Sequence, residues 1–409
     1  MKKILRKGYL FRLKPSAEVK AKLANHVGAG RFLWNKILAL NLSRLENSQN
    51  LIWYQEMSFW LTLWKKSEEY GFLKEAPSQG LQQKLRDLDK AFKDAFDKKQ
   101  PLKRIPKFKK KGMSDTLRYP QGFKVDEDRK RIFLPKLGWL SYKKSRSMAG
   151  TPKNITLSRK GKYWYISIQT EYEKEIPSHS SKSIVGIDMG IKRFATLSDG
   201  EVFKPLNSFA TLKAKLKRYQ RRLAKKTKFS ANWNRQKQKI SFLQEHIARA
   251  RRDYLHKIST KISKSHAMVV VEELQVKNMS KSAKGTKKSP GKDVKAKASL
   301  NRGILDQGWG LFVSMLDYKL EELGGQLVKV PPHYTSQTCP CCGHQAKENR
   351  KAQSQFACIT CGHKANADDV GAFNVLARGH RVLACGVGSL EPSMNQEPVG
   401  SSDTSLLVG

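Results

Sequence analysis

The sequence predicts a multi-domain chain of α+β and α/β type, and three observations support this. Helical periodicity extends over most of the first hundred residues, and residues 116–180 have the alternation of short β-strands. From residue 181 onward, buried strands alternate with helices before a cysteine-rich segment. A chain of 409 residues is long enough for two or three domains, each with its own core.

Positive charge is the main feature of the composition. The chain has 79 Lys and Arg against 35 Asp and Glu, a formal net charge of +44, while 39% of its residues are hydrophobic. A globular protein with this excess repels itself unless a polyanion neutralises it, so nucleic acid is the expected partner. An anionic membrane is the competing polyanion. We expect no membrane association, because the sequence has no apolar run near ~20 residues.

Two features bear on cellular location. The opening "MKKILRKGYLFRLKPS" lacks the apolar segment of ~7–15 residues that a secretory signal carries. The six cysteines all lie in the last fifth of the chain, at Cys339, Cys341, Cys342, Cys358, Cys361 and Cys385. This clustering favours a local metal site in a reducing cytosol over a disulfide framework, and we expect a cytoplasmic protein.

The first part of the chain predicts a strand followed by helices. Residues 7–14 form a short strand that Pro15 ends, and Ser16 is a candidate N-cap. The clearest helix is predicted at residues 81–96, and its apolar stripe is Leu81, Leu85, Leu88, Phe92 and Phe96. The tryptophans expected in this helical core are Trp34, Trp53, Trp60 and Trp64. Residues 103–112 form a basic loop that contains Lys109 and Lys110.

The middle of the chain predicts a small β-barrel or sheet. Residues 131–144 and 154–173 have strand character, the latter as a hairpin that turns at residues 160–162. The N-terminal strand is expected to pair with this sheet.

The last half predicts buried strands and basic helices. Strands are expected within residues 183–203 and 267–274, with two basic amphipathic helices over 211–257 between them. One helix is expected from about 300 to 323, and a disordered tail follows from about 386.

Two cysteine pairs have the spacing of a four-cysteine zinc site. Each pair is separated by two residues and followed by glycine, and the four residues are Cys339, Cys342, Cys358 and Cys361. Cys341 is an alternative to Cys342, although the two-residue gap favours Cys342. Four protein ligands leave no open coordination position, so this zinc is expected to be structural. Cys385 is expected to be a lone thiol.

Three carboxylates stand at the ends of apolar segments, although acids are scarce in this chain. Asp188 ends "SIVGID", Glu272 ends "AMVVVE", and Asp368 or Asp369 opens the last helix. Each alone is more simply a solvated strand end or a helix cap. Together they have the order of a ribonuclease-H-like nuclease, in which carboxylates hold two Mg²⁺ ions for phosphodiester hydrolysis.

Several ordered segments between residues 5 and 380 resemble the TnpB (OrfB) family, transposon-associated RuvC-like proteins related to type V CRISPR effectors. They are "VGIDMGIKRFATLSDG", "VVVEELQVKNM", "LNRGILDQGW", "VPPHYTSQTCPCCG" and "CGHKANADDVGAFNVLARG". The resemblance implies a wedge β-barrel domain (1–14 and 116–180), a helical recognition domain (15–115) and a RuvC-like nuclease domain (181–380). It also implies a zinc-binding insert at about 333–366 and leaves 381–409 as a tail.

The resemblance further implies an RNA-guided DNA endonuclease. A guide RNA from the transposon end would direct cleavage of double-stranded DNA beside a transposon-adjacent motif. Apart from the resemblance, we expect a monomer with its RNA. Asp188, Glu272 and Asp368 would be the ligands of Mg²⁺, and the four cysteines the ligands of zinc. Gln82 corresponds to a family glutamine near the target-adjacent motif. Arg302 would contact nucleic acid or brace the nuclease site, and Val370 departs from the family pattern at a usual Asn.

Two other functions share the same features. One is a nuclease-inactive regulator that binds RNA and DNA, and the other is an RNA-independent transposase with three carboxylates. Intact Asp188 and Glu272 argue against the first, and the cysteine segment before the last acid argues against the second.

Helical spacing separates the two neighbouring aspartates. Asp368 shares a face with the small residues Gly371 and Ala372, which allows a close approach to the sheet. Asp369 shares its face with the bulkier Phe373 and Leu376, a stripe suited to ordinary packing. This spacing favours Asp368 as the third ligand, and the register implied by the family resemblance, counted back six residues from Asn374, gives the same residue.

Overall fold

The computed structural model describes residues 2–112, 115–286, 289–352 and 354–384. Contacts divide the chain into two compact units: residues up to 176 with 213–248, and residues 177–212 with those from 249 onward. The expected lone thiol Cys385 and the tail from 386 lie outside the described residues, whereas residues 381–384 are helical. Among the described helices, none combines the length and apolar content needed to cross a membrane.

The helices are α1 (Ala17–Glu46), α2 (Tyr54–Lys66), α3 (Ser78–Phe96), α4 (Ser208–Ala224), α5 (Ala231–Ser265), α6 (Val276–Met279), α7 (Val294–Gln307), α8 (Trp309–Leu323) and α9 (Ala367–Ala384). The strands of the first unit are β1 (Lys2–Leu13), β2 (Thr116–Tyr119), β3 (Lys124–Asp126), β4 (Arg131–Leu134), β5 (Gly138–Lys143), β6 (Thr151–Lys160) and β7 (Tyr163–Glu175). Those of the second unit are β8 (Ile184–Asp188), β9 (Ala195–Leu197), β10 (Val202–Phe203), β11 (Met268–Glu272), β12 (Gln326–Val330), β13 (Gln355–Ala357) and β14 (Lys364–Asn366).

The first unit contains a seven-stranded antiparallel sheet in the order β2-β6-β7-β1-β5-β4-β3. The N-terminal strand β1 pairs with β7 from Lys2 to Arg12, which confirms the expected pairing. Strands β6 and β7 form the predicted hairpin, and Gly161 has the positive φ of 57° that its tight turn requires. The sheet order has two ends, β2 and β3, so the closed barrel stays a prediction.

Helices α1, α2 and α3 share a separate apolar core in this unit. Ser16 caps α1 by accepting a hydrogen bond from the Val19 N–H at 3.3 Å, as predicted. Four residues of the predicted α3 stripe are fully buried: Leu81, Leu85, Leu88 and Phe92. The expectation was wrong for Phe96, which is 50% exposed at the helix end. It was also wrong for Trp53, which precedes α2 and is 40% exposed beside Lys93.

Residues 213–248 belong by contact to the first unit, although they lie within the expected RuvC-like nuclease domain, 181–380. The reason is local packing on the β6–β7 hairpin. The Tyr165 hydroxyl donates a hydrogen bond to Glu245 at 3.0 Å, and Gly161 lies against Phe242 and Glu245.

The second unit contains a five-stranded sheet in the order β10-β9-β8-β11-β12. Strands β8, β11 and β12 are parallel, while β9 runs antiparallel to β8. One face of this sheet packs on α5, α7 and α8. The prediction of a single helix over 300–323 was wrong. The region forms two helices, α7 from Val294 and α8 from Trp309, which are separated at Gly308, where φ is +74°.

The other face of this sheet packs on α9. The helix comes so close that a Cβ atom at Gly186 of β8 would overlap the backbone of Ala372 and Leu376. In turn, a Cβ atom at Gly379 of α9 would overlap Val270 of β11. Glycine is therefore required on both sides of the contact because only a backbone without Cβ permits it.

We predict that Gly186→Ala destabilises the protein by about 1–3 kcal/mol, because the added methyl overpacks the contact with α9. The measurement is the free energy of unfolding in urea. Gly310→Ala is the matched control, since nothing lies within 4 Å of the corresponding Cβ. Equal stability of the Gly186 variant and wild type would contradict the close contact.

Candidate metal centre and nucleic-acid interface

Strand register places Asp188 and Glu272 side by side. Ile187 of β8 pairs with Val271 of β11, so the next residue on each parallel strand is an acid. Parallel strands lie about 4.8 Å apart, and residues two apart share a face. Because Gly186 and Val270 both face α9, the acids two residues later face the same side at the carboxyl end of the sheet.

Helix α9 adds Asp368 to this pair. Its first turn carries both Asp368 and Asp369. A Cβ atom at Gly371 would lie 3.1 Å from the Asp188 carboxyl carbon, so the glycine side of the helix faces Asp188. Asn366 accepts a hydrogen bond from the Asp368 N–H at 3.0 Å and thereby caps the helix.

The two aspartates have different surroundings. The Asp368 side chain is 20% exposed and that of Asp369 is 43% exposed. Arg193 lies 3.0 Å from Asp369 and 3.8 Å from Asp368. The packing stripe expected beside Asp369 is only partly present, because Phe373 is 49% exposed.

The three carboxylates are close enough for the charges of two of them to change the pKa of the third. The pKa of Asp188 is raised to about 7, first by burial and then by the negative charges of Glu272 and Asp368. Arg350 and a hydrogen bond from the Met189 backbone oppose this rise. Such a cluster of negative charge favours a bound cation.

Glu272 is buried, and its pKa is also raised by burial. The Thr335 hydroxyl donates a hydrogen bond to the Glu272 carboxylate. This contact and the charges of Arg378 and Arg350 lower the pKa in opposition to burial. Thr335 is fixed in turn by Asn374 of α9, which donates to the Thr335 carbonyl at 2.7 Å.

The four predicted cysteines converge after β12. Their sulfur atoms all lie within 4.8 Å of one another, and the residues are Cys339, Cys342, Cys358 and Cys361. Cys341 is exposed and is not part of this cluster, which resolves the ambiguity in favour of Cys342. In each knuckle the glycine has a positive φ, +75° at Gly343 and +72° at Gly362, and its N–H bonds back to the first cysteine of the pair.

Asn349 joins the two knuckles. It is fully buried and donates to the carbonyls of Gln337 and His344 at 2.9 and 3.1 Å. Its side-chain oxygen accepts from the Ile359 N–H at 3.0 Å, on the second knuckle. One side chain therefore fixes both halves of the cysteine cluster.

The predicted nucleic-acid contacts lie on helices α3 and α7 and in the basic loop between α3 and β2. Gln82 is exposed on α3 and Arg302 is exposed on α7. Lys110 is exposed in the basic loop, whereas the Lys109 ammonium lies 3.1 Å from the centre of the Trp34 ring. Burial lowers the pKa of Lys109 to about 8, so this lysine has a packing role in addition to any contact with nucleic acid.

Sequence reasoning missed the side chains that hold the acids in place. Arg193, Thr335 and Arg378 bond or lie near the carboxylates through long-range packing, which has no local signature. The family register contained Asn374, but its hydrogen bonds to the carbonyls of Thr335 and Thr338 depend on the fold.

Three family models match the chain. A model of the OrfB family described as "Probable transposase" matches residues 167–283. A model described as "Cas12f1-like, TNB domain" matches residues 309–375. A third, described as "Helix-turn-helix domain", matches residues 1–50, a stretch that forms β1 and the single helix α1.

Two relatives match over nearly the whole length. The "Putative RNA-guided DNA endonuclease InsQ" of Escherichia coli (strain K12) is 51% identical over 392 residues, which cover 95% of this chain and 96% of that protein. A "Putative RNA-guided DNA endonuclease" of Streptomyces pristinaespiralis is 30% identical, covering 97% of this chain and 95% of that protein. The chain therefore belongs to the TnpB (OrfB) family of transposon-associated proteins.

Similarity to a solved structure is weaker than the sequence similarity to these two relatives. The "Structure of the mini-RNA-guided endonuclease CRISPR-Cas_phi3" covers 91% of this chain and 92% of that chain, at 11% identity and a TM-score of 0.43. A likeness of this size does not establish a shared fold.

Asp188→Asn is expected to stabilise the metal-free protein at neutral and higher pH. Folding raises the Asp188 pKa from 3.8 to about 7, so wild type loses stability as pH rises through that window. The uncharged variant does not lose this stability. Its free energy of unfolding should exceed that of wild type by up to about 4 kcal/mol above pH 7 and by little near pH 4. Urea unfolding in magnesium-free buffer across this pH range measures the difference.

Asp317→Asn is the control, because Asp317 is exposed on α8. Substitution at this exposed position should change the free energy of unfolding by no more than about 0.5 kcal/mol. A stability gain of Asp188→Asn that does not grow between pH 4 and pH 8 would contradict the raised pKa.

Proposed function

We propose that this chain is an RNA-guided DNA endonuclease encoded by a transposon. The observation that carries the proposal is the convergence of Asp188, Glu272 and Asp368 at the carboxyl end of the parallel strands of the second-unit sheet. The relative at 51% identity over nearly the whole length, which is named for this activity, supports the same function.

The carboxylate cluster fits a site for two Mg²⁺ ions. Carboxylate oxygens are the ligands that Mg²⁺ prefers, and the negative charge that raises the Asp188 pKa is what such ions would neutralise. When bound there, such ions would supply the activation of water and the stabilisation of the leaving oxygen that phosphodiester hydrolysis requires. Thr335 would orient Glu272 through its hydrogen bond, and Arg193 would hold the first turn of α9.

The cysteine cluster fits one structural Zn²⁺ ion. A tetrahedral zinc with bonds of about 2.3 Å to sulfur requires sulfur atoms about 4 Å apart, and the four sulfur atoms lie within 4.8 Å of one another. All four positions would be taken by protein, so this zinc would order the segment between β12 and α9 and take no part in hydrolysis.

The fold of the second unit supports a RuvC-like, ribonuclease-H-like assignment. Three antiparallel strands are followed by two parallel ones, and the first acid ends the central strand β8. In this assignment the cysteine segment, about 333–366, is an insert before the last helix. The first unit would supply the wedge (1–14 and 116–180) and recognition (15–115) domains.

Guide RNA and double-stranded target DNA are the proposed partners. Base pairing would read the target, so the protein would hold the backbones of both nucleic acids, in agreement with a net charge of +44. Gln82, Lys109, Lys110 and Arg302 are proposed to contact nucleic acid, with Gln82 near the transposon-adjacent motif. One chain would act with one RNA in the cytoplasm of a prokaryotic cell.

One experiment separates this proposal from its alternatives. The chain is co-expressed with the DNA that follows its gene, bound RNA is recovered, and cleavage of a matching duplex is tested with Mg²⁺. Cleavage only with RNA supports the proposal. Bound RNA without cleavage favours the regulator, and cleavage without RNA favours the transposase. Asp188→Ala should bind RNA and not cut, whereas retained cutting would overturn the proposed site.

Asp368→Ala is expected to abolish cleavage of the matching duplex, because it removes a proposed metal ligand beside Asp188. Asp369→Ala is the matched control and should cut within about tenfold of wild type, since it loses only an exposed ion pair with Arg193. Single-turnover cleavage rates measure both variants. If Asp369→Ala abolished cleavage while Asp368→Ala still cut, Asp369 would replace Asp368 as the proposed metal ligand.

Cys358→Ala is expected to lose bound zinc and to melt at a lower temperature than wild type, because a structural zinc contributes directly to folding. Cys341→Ala is the control and should keep one zinc per chain, because Cys341 is exposed outside the cluster. Elemental analysis and thermal unfolding measure the two effects. Unchanged zinc content in the Cys358 variant would refute the site.

A further inference from the structure

The connection between α4 and α5 presents an aromatic ring to solvent. Phe229 is 80% exposed and has a positive φ of 68°. A phenylalanine in the left-handed region is strained, since glycine favours that conformation. The turn is nonetheless fixed, because Asn234 donates a hydrogen bond to the Phe229 carbonyl at 3.0 Å and Ser230 caps α5.

A second ring supports the first. Trp233, in the first turn of α5, is half-buried, and its ring centre lies 5.5 Å from that of Phe229. Lys237 places its ammonium 4.9 Å from the centre of the Trp233 ring. The exposed face of Phe229 therefore rests on a backing of aromatic and cationic groups, an arrangement that favours stacking of a further planar group.

Only positive charge surrounds this ring pair along the chain. Between residues 213 and 239 the sequence has 12 Lys and Arg and no Asp or Glu. A cleft of about 660 Å³ runs along α4, and its cations are Lys217, Arg218, Arg221, Arg222 and Lys225. The two alanines that complete this lining leave room between the long basic side chains.

Helices α4 and α5 are anchored at two points outside this connection. Gln236 is buried and donates to the Tyr219 carbonyl at 3.0 Å, which ties α5 to α4. Further along α5, Glu245 accepts the Tyr165 hydroxyl hydrogen bond on the sheet of the first unit. The ring pair is thus held on a rigid support, which limits the entropy lost when a ligand stacks on it.

We propose that Phe229 stacks on an unpaired base of RNA, while the basic residues of α4 bind the neighbouring phosphates. The inference rests on the proposed function for the identity of the strand as RNA. A planar ring next to a row of cations matches a single strand, whose bases are exposed, and not a duplex, whose bases are already stacked. A protein partner would need apolar area around the ring, and here the neighbours are charged.

The test measures binding of a fluorescein-labelled oligouridine to the full chain, purified free of RNA and without Mg²⁺. Phe229→Ala and Phe229→Gly should bind about 5- to 100-fold more weakly than wild type, because each removes one base stack. Phe229→Trp should retain binding. The salt dependence of affinity should not change, because no phosphate contact is lost.

Phe96→Ala is the matched control. Phe96 is also an exposed phenylalanine, 50% exposed, with its ring 6.5 Å from that of Phe92, but Asp94 and Asp97 lie beside it in the chain. The Phe96→Ala variant should bind oligouridine with the same affinity as wild type. Thermal unfolding separates a folding defect from a binding defect, since Phe229→Gly relieves the strained φ and should melt at or above the wild-type temperature.

The inference would be overturned if Phe229→Ala bound oligouridine within about twofold of wild type, if Phe96→Ala lost affinity equally, or if affinity for an RNA duplex fell equally. A loss confined to oligodeoxythymidine would also overturn it, in favour of a DNA strand. If wild type binds no RNA, the proposed function itself fails. RNA binding that is insensitive to Phe229 refutes this inference alone.

Discussion

The close contact between α9 and the second-unit sheet is the constraint on which the candidate metal centre depends. Asp188 and Glu272 end neighbouring parallel strands, so their pairing follows from strand register. Asp368 comes from a distant part of the chain and reaches them because Gly186, Gly371 and Gly379 remove the side chains that would hold the helix away. The position of Asp368 therefore depends on the absence of side chains at these three glycines.

This contact has an electrostatic consequence in a strongly basic protein. Burial, followed by the negative charges of Glu272 and Asp368, raises the pKa of Asp188, so the metal-free site opposes its own ionisation. Two arginines offset part of this negative charge: Arg193 lies 3.8 Å from Asp368, and the charge of Arg378 lowers the pKa of Glu272. The aromatic pair at residues 229 and 233 shows a similar use of unfavourable structure, with backbone strain retained at an exposed ring.

Features that depend on local sequence were predicted well. Periodicity gave the buried stripe of α3 up to Phe92, turn chemistry gave the β6–β7 hairpin, and cysteine spacing gave the metal cluster. The failures occur where a short pattern continues past the end of an element. Phe96 fits the stripe but lies in the last turn, and the helix expected over 300–323 is divided at Gly308 because its φ is positive.

The sequence by itself determined the acids at the strand ends, the four cysteines and the excess of positive charge, because each is a property of residue type and short spacing. Only the tertiary structure decided between Asp368 and Asp369 as the neighbour of Asp188, since that choice depends on which side of α9 meets β8. It also decided the supporting bonds of Thr335, Asn374 and Arg193. Those contacts join residues 36 or more positions apart, a separation at which sequence periodicity carries no information.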